Sequence, residues 1–221
     1  MERLRTLTKL NIAETCVGTR ALGPGLLSVA WVQGCPFSCR GCIAPDWIPQ
    51  RPAREADPGE LAAELLADPG VTGLTFSGGE PMAQAEGLAQ LITIARQQRD
   101  LTLICFTGYR LARLHGSPPG PGVASLLAQT DVLIDGQYVA ARNDGRGLRG
   151  SSNQRVHFLT GRLRHAEAEL TEGPRRAEIR LRERSALLVG VPGPGVQEAF
   201  DTAAARSADG IAGAGGRLGE E

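Results

Sequence analysis

The stretch that decides the fold is residues 34–42, which read GCPFSCRGC. Its cysteines, Cys35, Cys39 and Cys42, have the spacing C-x3-C-x2-C. Three thiolates on one loop can hold a [4Fe-4S] cube, and the fourth iron then lacks a protein ligand. Such an iron is free to bind a substrate or a cofactor chelate. In a four-thiolate electron carrier, in contrast, every iron already has a protein ligand. The spacing therefore favours an iron–sulfur site with an open iron.

A zinc site is the alternative interpretation of the same cysteines. Structural zinc normally takes four protein ligands, and neither a second C-x-x-C pair nor paired histidines follow the loop. Cys16 could still supply a fourth ligand, to zinc or to a redox cluster, so the spacing alone leaves this alternative open. Cys105 lies inside an apolar stretch and is expected to be a core residue.

Composition limits the functional classes. The 221 residues carry 24 Lys+Arg and 24 Asp+Glu, and this zero net charge argues against nucleic-acid binding by bulk charge. No N-terminal signal segment and no apolar run of about 18 residues is found, so neither export nor membrane insertion is expected. Three of the five cysteines fall within eight residues. That pattern suits metal binding in a reducing cytoplasm better than a disulfide framework.

Around the cysteine loop, apolar runs alternate with helical patterns. Strands are predicted at residues 26–32, 71–76, 101–106 and 131–134. Helices are predicted after Asp57, at residues 83–98 and near residues 123–127. The first helix has Asp57 as its N-cap and Leu61, Leu65 and Leu66 as its apolar stripe. Strands that alternate with helices imply βαβ units and a parallel sheet.

The two ends of the chain have weaker patterns. Residues 1–25 are polar and rich in Gly and Pro, and are interpreted as a segment that leads into the domain. Residues 177–189 alternate around a polar turn at Glu183-Arg184-Ser185, which predicts a β-hairpin. From residue 196 the chain is rich in Ala and Gly. We therefore expect one domain over residues 1–195 and a flexible tail over residues 196–221.

Two motifs in succession resemble the radical S-adenosylmethionine enzymes. C-x3-C-x2-C follows the first predicted strand, and Gly78-Gly79-Glu80 follows the next, where that superfamily binds the methionyl group. The resemblance covers about residues 27–155. Within the superfamily the chain is similar to the small activating protein of anaerobic ribonucleotide reductase. That similarity rests on GCP at 34–36, RGC at 40–42, LTFSGGEP at 74–81, DVLIDG at 131–136 and RGSSNQR at 149–155.

The resemblance implies an α/β fold, namely an incomplete TIM-like β/α barrel of five or six parallel strands, to which the β-hairpin predicted from the sequence adds a C-terminal element. It also implies a [4Fe-4S] cluster on Cys35, Cys39 and Cys42, with S-adenosyl-L-methionine as cofactor. The expected cofactor-binding residues are Ser77, Gly78, Gly79, Glu80, Thr107, Asp135, Gln137, Ser152 and Asn153.

These cofactor assignments have simpler alternatives. Gly78-Gly79 alone is a tight turn, but at a strand's carboxyl end it would lie on the face where β/α barrels form active sites. Asp135 could accept hydrogen bonds from ribose hydroxyls, or could shape an ordinary Asp-Gly turn. Thr107 follows a strand in the same way. The polar run that contains Ser152 and Asn153 would, without the resemblance, be interpreted as a hydrated loop.

The implied reaction is reductive cleavage of S-adenosylmethionine to methionine and a 5′-deoxyadenosyl radical. The expected role is activation of a glycyl radical enzyme, with an electron donor such as flavodoxin or ferredoxin. One alternative is radical chemistry on a small molecule or a peptide in a biosynthetic pathway. This alternative is favoured by the length of the chain. The loop at residues 45–56 and the C-terminal hairpin are additions to a minimal activating protein and could reshape the site for another substrate. The other alternative is an electron-transfer or zinc protein. No nucleic acid or membrane partner is expected.

Overall fold

The computed structural model describes residues 7–183 and 185–214, with side-chain surroundings to residue 206. Its centre is a seven-stranded sheet in the order β3-β1-β2-β4-β5-β6-β7. The strands are β1 Leu10–Thr19, β2 Leu27–Val32, β3 Arg54–Ala56, β4 Gly73–Gly78, β5 Thr102–Thr107, β6 Val132–Asp135 and β7 Arg155–Phe158. The helices are α1 Pro58–Leu65, α2 Ala85–Gln98, α3 Leu111–Gly116, α4 Val123–Leu127, α5 Glu167–Glu172 and α6 Val196–Ala214.

The middle of the sheet is parallel. Strands β2, β4, β5 and β6 pair in parallel, β1 is antiparallel to β2 and to β3, and β7 is antiparallel to β6. The expectation of five or six parallel strands is therefore too high for the contiguous parallel part, which has four. The parallel strands are mostly apolar and buried because both faces of the sheet are covered.

Two hydrophobic cores lie on the two faces of the sheet. On one face, α1, α2 and α4 pack against alternate strand residues such as Val32, Phe76 and Leu103. On the other face, residues from the segment after β7, including Leu163 and Leu170, pack against the remaining strand residues. This arrangement is a mixed α/β fold with a mostly parallel central sheet.

The predicted strands and helices of the central region are confirmed within a few residues. Asp57 caps α1, since its side chain accepts a hydrogen bond of 2.8 Å from the Gly59 amide, and Leu61 and Leu65 are buried. The interpretation of residues 1–25 as a segment that leads into the domain was wrong for residues 10–19, because these form β1. Strand β1 mixes buried with half-buried residues, and its polar side chains bind outside the strand, as Glu14 does with Arg182 and Thr15 with Glu64. The short β3 and α3 were also not predicted.

The C-terminal hairpin is confirmed as a separate two-stranded sheet of β8, Ala177–Leu181, and β9, Ala186–Gly190. Arg184, expected in its turn, and residues 215–221 of the expected tail lie outside the described residues. The tail begins with α6, which reflects the helix propensity of its many alanines. Its flexibility stays a prediction. Among the described residues, no helix is both long enough and apolar enough to cross a membrane.

Candidate cluster and cofactor site

A cavity of about 1060 Å³ opens at the carboxyl ends of the parallel strands. Cys35, Cys39 and Cys42 all line it, whereas Cys16 and Cys105 are buried elsewhere. The carboxyl ends of neighbouring parallel strands meet at one edge of a sheet, and the loop after β2 therefore faces the loops after β4, β5 and β6. A single apolar-lined cavity of this size exceeds the ~300–1,000 Å³ usual for one small ligand.

The cysteine loop is fixed to the chain that follows it. The Gly34 amide donates to the Trp47 carbonyl at 2.9 Å, and the Cys35 amide donates to the Ile48 carbonyl at 2.9 Å. Gly34 has φ of +97°, in the left-handed region that favours glycine. These contacts turn the loop back over the cavity and leave the three thiols half-buried.

The surroundings of the thiols disfavour thiolates unless a cation is bound. Burial raises the pKa of Cys35 to about 11, and the neighbouring Glu80 and thiols add to this rise. Burial likewise raises the pKa of Cys42, and Cys39 adds to it. Metal ions reverse this balance, because a coordinating thiol loses its proton. The donor set therefore fits a group that brings its own positive charge.

The three thiols are spread along the loop rather than grouped around one point. Within the part of the chain that the structure describes, no group of three or more His, Cys, Asp or Glu residues is arranged to hold a single metal ion. An iron–sulfur cube places each thiolate on a different iron, so the sulfurs need not converge on one point.

The Gly-Gly-Glu turn packs directly on the start of the cysteine loop. The Gly79 amide donates to the Val32 carbonyl at 2.7 Å, and the Glu80 amide donates to the Gly34 carbonyl at 2.9 Å. A Cβ on Gly79 would lie 2.2 Å from the Gly34 oxygen, so only glycine permits this approach. The two motifs that the sequence places 40 residues apart are thus one structural unit.

Glu80 ties this turn to the end of β5. Its carboxylate accepts hydrogen bonds from the Gly108 amide at 2.7 Å, the Met82 amide at 2.9 Å and the Thr107 hydroxyl at 2.8 Å. Burial raises the pKa of Glu80 to about 7, although these three hydrogen bonds oppose the rise. Glu80 therefore supports the turn, and Thr107 reaches the cavity beside it.

Asp135 does not line the cavity, and its carboxylate binds groups of the protein. Its carboxylate accepts from Arg110 at 3.0 Å and from the Leu111 amide at 2.8 Å, and its Oδ2 lies 2.9 Å from Nε2 of His157. Burial opposes ionisation, but these contacts hold the pKa of Asp135 below its ordinary value. The protein thus already occupies both oxygens, and the ribose contact stays a prediction.

The polar run at residues 151–154 is mainly structural. Asn153 donates to the Gln137 carbonyl at 2.8 Å, and Gln154 donates to the Gly136 carbonyl at 2.6 Å. Ser152 is exposed. The run thus holds the loop after β6 in place, and of its members Gln154 lines the cavity.

The structure brings together most of the predicted site residues. Those that line the cavity are Cys35, Cys39, Cys42, Ser77, Gly78, Gly79, Glu80, Thr107 and Gln137. Asp135, Ser152 and Asn153 do not line it. We name the residues at the strand ends that line it, 35–42, 77–80 and 107–108, the sheet-end wall.

A second set of cavity residues was missed in the sequence. It comes from residues 186–202, which we name the C-terminal wall, and includes Leu188, Pro192, Glu198 and Phe200. No local sequence motif predicts the C-terminal wall, because these residues reach the cavity only when the chain folds over the sheet.

Arg175 joins this wall to the loop before β7. Its side chain is 4% exposed, lines the cavity, and donates to the carbonyls of Arg149 at 2.7 Å, Gly150 at 3.1 Å and Pro192 at 3.1 Å. The nitrogen that binds Pro192, Nη1, also donates to Asn143 Oδ1 at 2.7 Å.

Comparison with known proteins defines the class. The family described as "4Fe-4S single cluster domain" matches residues 21–157. The anaerobic ribonucleoside-triphosphate reductase-activating protein of Vibrio cholerae is 34% identical over 148 residues, covering 62% of this chain and 91% of that protein. The corresponding protein of Enterobacteria phage T4 is 29% identical over 61% of this chain and 85% of its own length.

A second group of relatives has a different target in its name. The pyruvate formate-lyase-activating enzyme of Clostridium pasteurianum is 35% identical over 138 residues, covering 58% of this chain, and the match spans 54% of that relative. The chain belongs to the 4Fe-4S single cluster domain family. It is a radical S-adenosylmethionine enzyme of the activating type, with a [4Fe-4S] cluster and S-adenosylmethionine as its cofactors.

Proposed function

We propose that Cys35, Cys39 and Cys42 hold three irons of the cluster and that the fourth iron binds S-adenosylmethionine. The observation that carries the proposal is that these three thiols, and neither of the other two cysteines, line one cavity with the Gly-Gly-Glu turn. When bound, the cluster supplies the electron that cleaves the carbon–sulfur bond. The residues of this chain position the cofactor and exclude water.

The sheet-end wall would hold the amino-acid end of the cofactor. The amides of Gly79 and Glu80 already donate hydrogen bonds within the protein. The ammonium group of the cofactor would therefore donate to oxygens of the turn. Ser77, Thr107 and Gln137 offer further polar groups in the same cavity. The apolar side chains of Trp47 and Phe106 line the cavity and suit the adenine ring.

The target that we propose is a glycine residue of an anaerobic ribonucleoside-triphosphate reductase. The support is that the relatives from Vibrio cholerae and phage T4 carry that reductase in their names and match at 91% and 85% of their length. The 5′-deoxyadenosyl radical would take a hydrogen atom from the glycine Cα. The products are 5′-deoxyadenosine and a glycyl radical on the target.

The cluster needs an external electron for each cleavage. A flavodoxin or a ferredoxin is the donor that we propose, working in a reducing cytoplasm. All five cysteines are free thiols, which suits such a compartment.

The central sheet, with the helices and the segment after β7 that pack on its two faces, favours a partial barrel within one domain over residues 1–195. Both cores share the central strands, so neither half has a core of its own. The cavity at the carboxyl ends of the strands also matches the position of active sites in β/α barrels.

The test is cleavage of S-adenosylmethionine by the reconstituted protein. After anaerobic loading with iron and sulfide and reduction with dithionite, chromatography should find 5′-deoxyadenosine and methionine, even without a target. A fully loaded protein that forms no 5′-deoxyadenosine would favour the electron-transfer alternative. Cleavage without radical transfer to any reductase would favour a small-molecule or peptide substrate.

A further inference from the structure

The C-terminal hairpin lies outside the part of the chain that the comparisons explain. The family match ends at residue 157, and the Vibrio cholerae relative is 91% covered by only 62% of this chain. Strands β8 and β9 begin at Ala177. Whatever the hairpin does is therefore added to the shared cofactor chemistry.

The charged face of the hairpin packs against the body of the protein. Glu178 accepts from the Arg20 amide at 2.8 Å, and Arg180 donates to the Gly18 carbonyl. Arg182 forms a two-pronged ion pair with Glu14 at 2.8 and 3.0 Å. The polar side chains of β8 are thus used for attachment to β1 and to the loop after it.

The apolar face of the hairpin is turned outward. Ile179 is 57% exposed and Leu181 is 82% exposed. In the register of the two strands, Ile179 lies opposite Leu188, and Leu181 lies opposite Ala186. Leu188 and Ala186 both line the cavity. One apolar surface therefore runs from the outside of the hairpin to the opening that holds the cysteine loop.

We propose that this face, Ile179 and Leu181 with Leu188 behind them, is the docking surface for the target protein. It binds an apolar stretch of the target next to the segment that enters the cavity. The inference rests on the proposed function, because it assumes that the substrate is a protein. Exposed apolar surface at a cavity mouth is typical of interaction sites.

A protein target fits better than a second copy of this chain. The face continues into the cavity, so a second copy seated on it would lie across the opening that the substrate must enter. A target segment, in contrast, can contact the hairpin and the cavity at the same time. Such two-part contact raises affinity without any change in the cofactor site.

The experiment compares the double variant Ile179→Thr/Leu181→Thr with the wild type. Threonine is β-branched and favoured in strands, so the hairpin should form. The target is the anaerobic ribonucleoside-triphosphate reductase of the same organism, and its glycyl radical is quantified by electron paramagnetic resonance. We expect KM for the reductase to rise roughly tenfold or more. Formation of 5′-deoxyadenosine without the reductase should not change. Leu7→Thr, at a residue 36% exposed, is the matched control.

Each other outcome overturns the docking surface. An unchanged KM in the double variant would do so directly. An equal loss of target-free cleavage would assign the residues to folding, as checked by thermal unfolding of the same samples. A wild-type dimer that the double variant converts to a monomer would assign the face to a second copy. A wild type that cleaves S-adenosylmethionine but never activates the reductase would instead reject the protein target, and with it this inference.

Discussion

The two walls of the cavity are built in different ways. The sheet-end wall lies at the ends of β2, β4 and β5, and its turns are joined to one another by backbone hydrogen bonds such as Glu80 to Gly34 at 2.9 Å. The C-terminal wall is attached to the rest of the protein by side chains such as Arg175. The first wall lies within the matched family region, and the second lies beyond it.

The different attachment of the two walls indicates how one fold can keep its cofactor chemistry and change its target. A cluster and its cofactor need a rigid site, which strand ends joined by backbone hydrogen bonds provide. A target-binding wall attached through side chains can vary without disturbing that site. Changes behind the sheet-end wall should therefore cost stability, and changes in the C-terminal wall should alter target recognition.

The largest effect is expected from Asp135→Asn. The change removes a buried charge that accepts hydrogen bonds from Arg110 and the Leu111 amide, and hydrogen bonds to charged groups typically contribute ~1.5–3 kcal/mol each. Urea unfolding of the iron-free protein should show this loss, while affinity for S-adenosylmethionine changes little. Asp100→Asn is the control, because Asp100 is 84% exposed and its pair with Arg162 should contribute less than about 1 kcal/mol. If Asp135→Asn instead bound S-adenosylmethionine tenfold more weakly and kept the wild-type free energy of unfolding, the ribose contact would be the better account of Asp135.

A second effect concerns pH and Glu80. Its pKa is raised from 4.5 to about 7 on folding, so between these values the folded state binds more protons than the unfolded state. The free energy of unfolding should therefore fall as pH rises from 5 to 8, by up to about 3 kcal/mol. Glu80→Gln should remove this part of the slope in the iron-free protein. An identical pH profile for both proteins would show that Glu80 does not titrate there.

A smaller effect is expected from Arg175→Lys. Lysine keeps the charge but cannot make the planar set of contacts to Arg149, Gly150 and Pro192. The unfolding free energy should fall by about 2 kcal/mol. Amide hydrogen exchange over residues 186–195 should speed up while β2 and β4 stay protected.

The neighbouring residue provides the control for this comparison. Arg176 is exposed and pairs only with Glu169 among the contacts described, so Arg176→Lys should change stability by less than about 0.5 kcal/mol. Equal exchange over residues 186–195 in the Arg175 variant and the wild type would contradict the attachment that we describe.

The central strands and the sheet-end wall could be predicted because both have local signals. The apolar runs of β2 and β6 identify buried strands, and the cysteine spacing and Gly78-Gly79 follow such runs directly. Strand β1 gives no such signal, because its apolar residues are interrupted by polar ones. Its place in the sheet depends on antiparallel pairing with β2, which the local sequence does not reveal.

Contacts between residues that are distant in the sequence could not be predicted from it. Asp135 follows a strand as a cofactor-binding residue would, and only the fold brings Arg110 and His157 to its carboxylate. Arg175 stands in a stretch without a motif, and its burial depends on carbonyls about 17 to 26 residues away. Patterns of nearby residues do not encode such partners.

We infer that Cys35, Cys39 and Cys42 leave one iron of the cluster open to S-adenosylmethionine. The most direct measurement is electron paramagnetic resonance of the reduced, reconstituted protein, recorded before and after addition of S-adenosylmethionine. We expect about four irons per chain, a cluster signal that changes when the cofactor is added, the same behaviour in Cys16→Ala, and no cluster in Cys42→Ala. A signal that saturating cofactor leaves unchanged, or loss of the cluster in Cys16→Ala, would contradict the account.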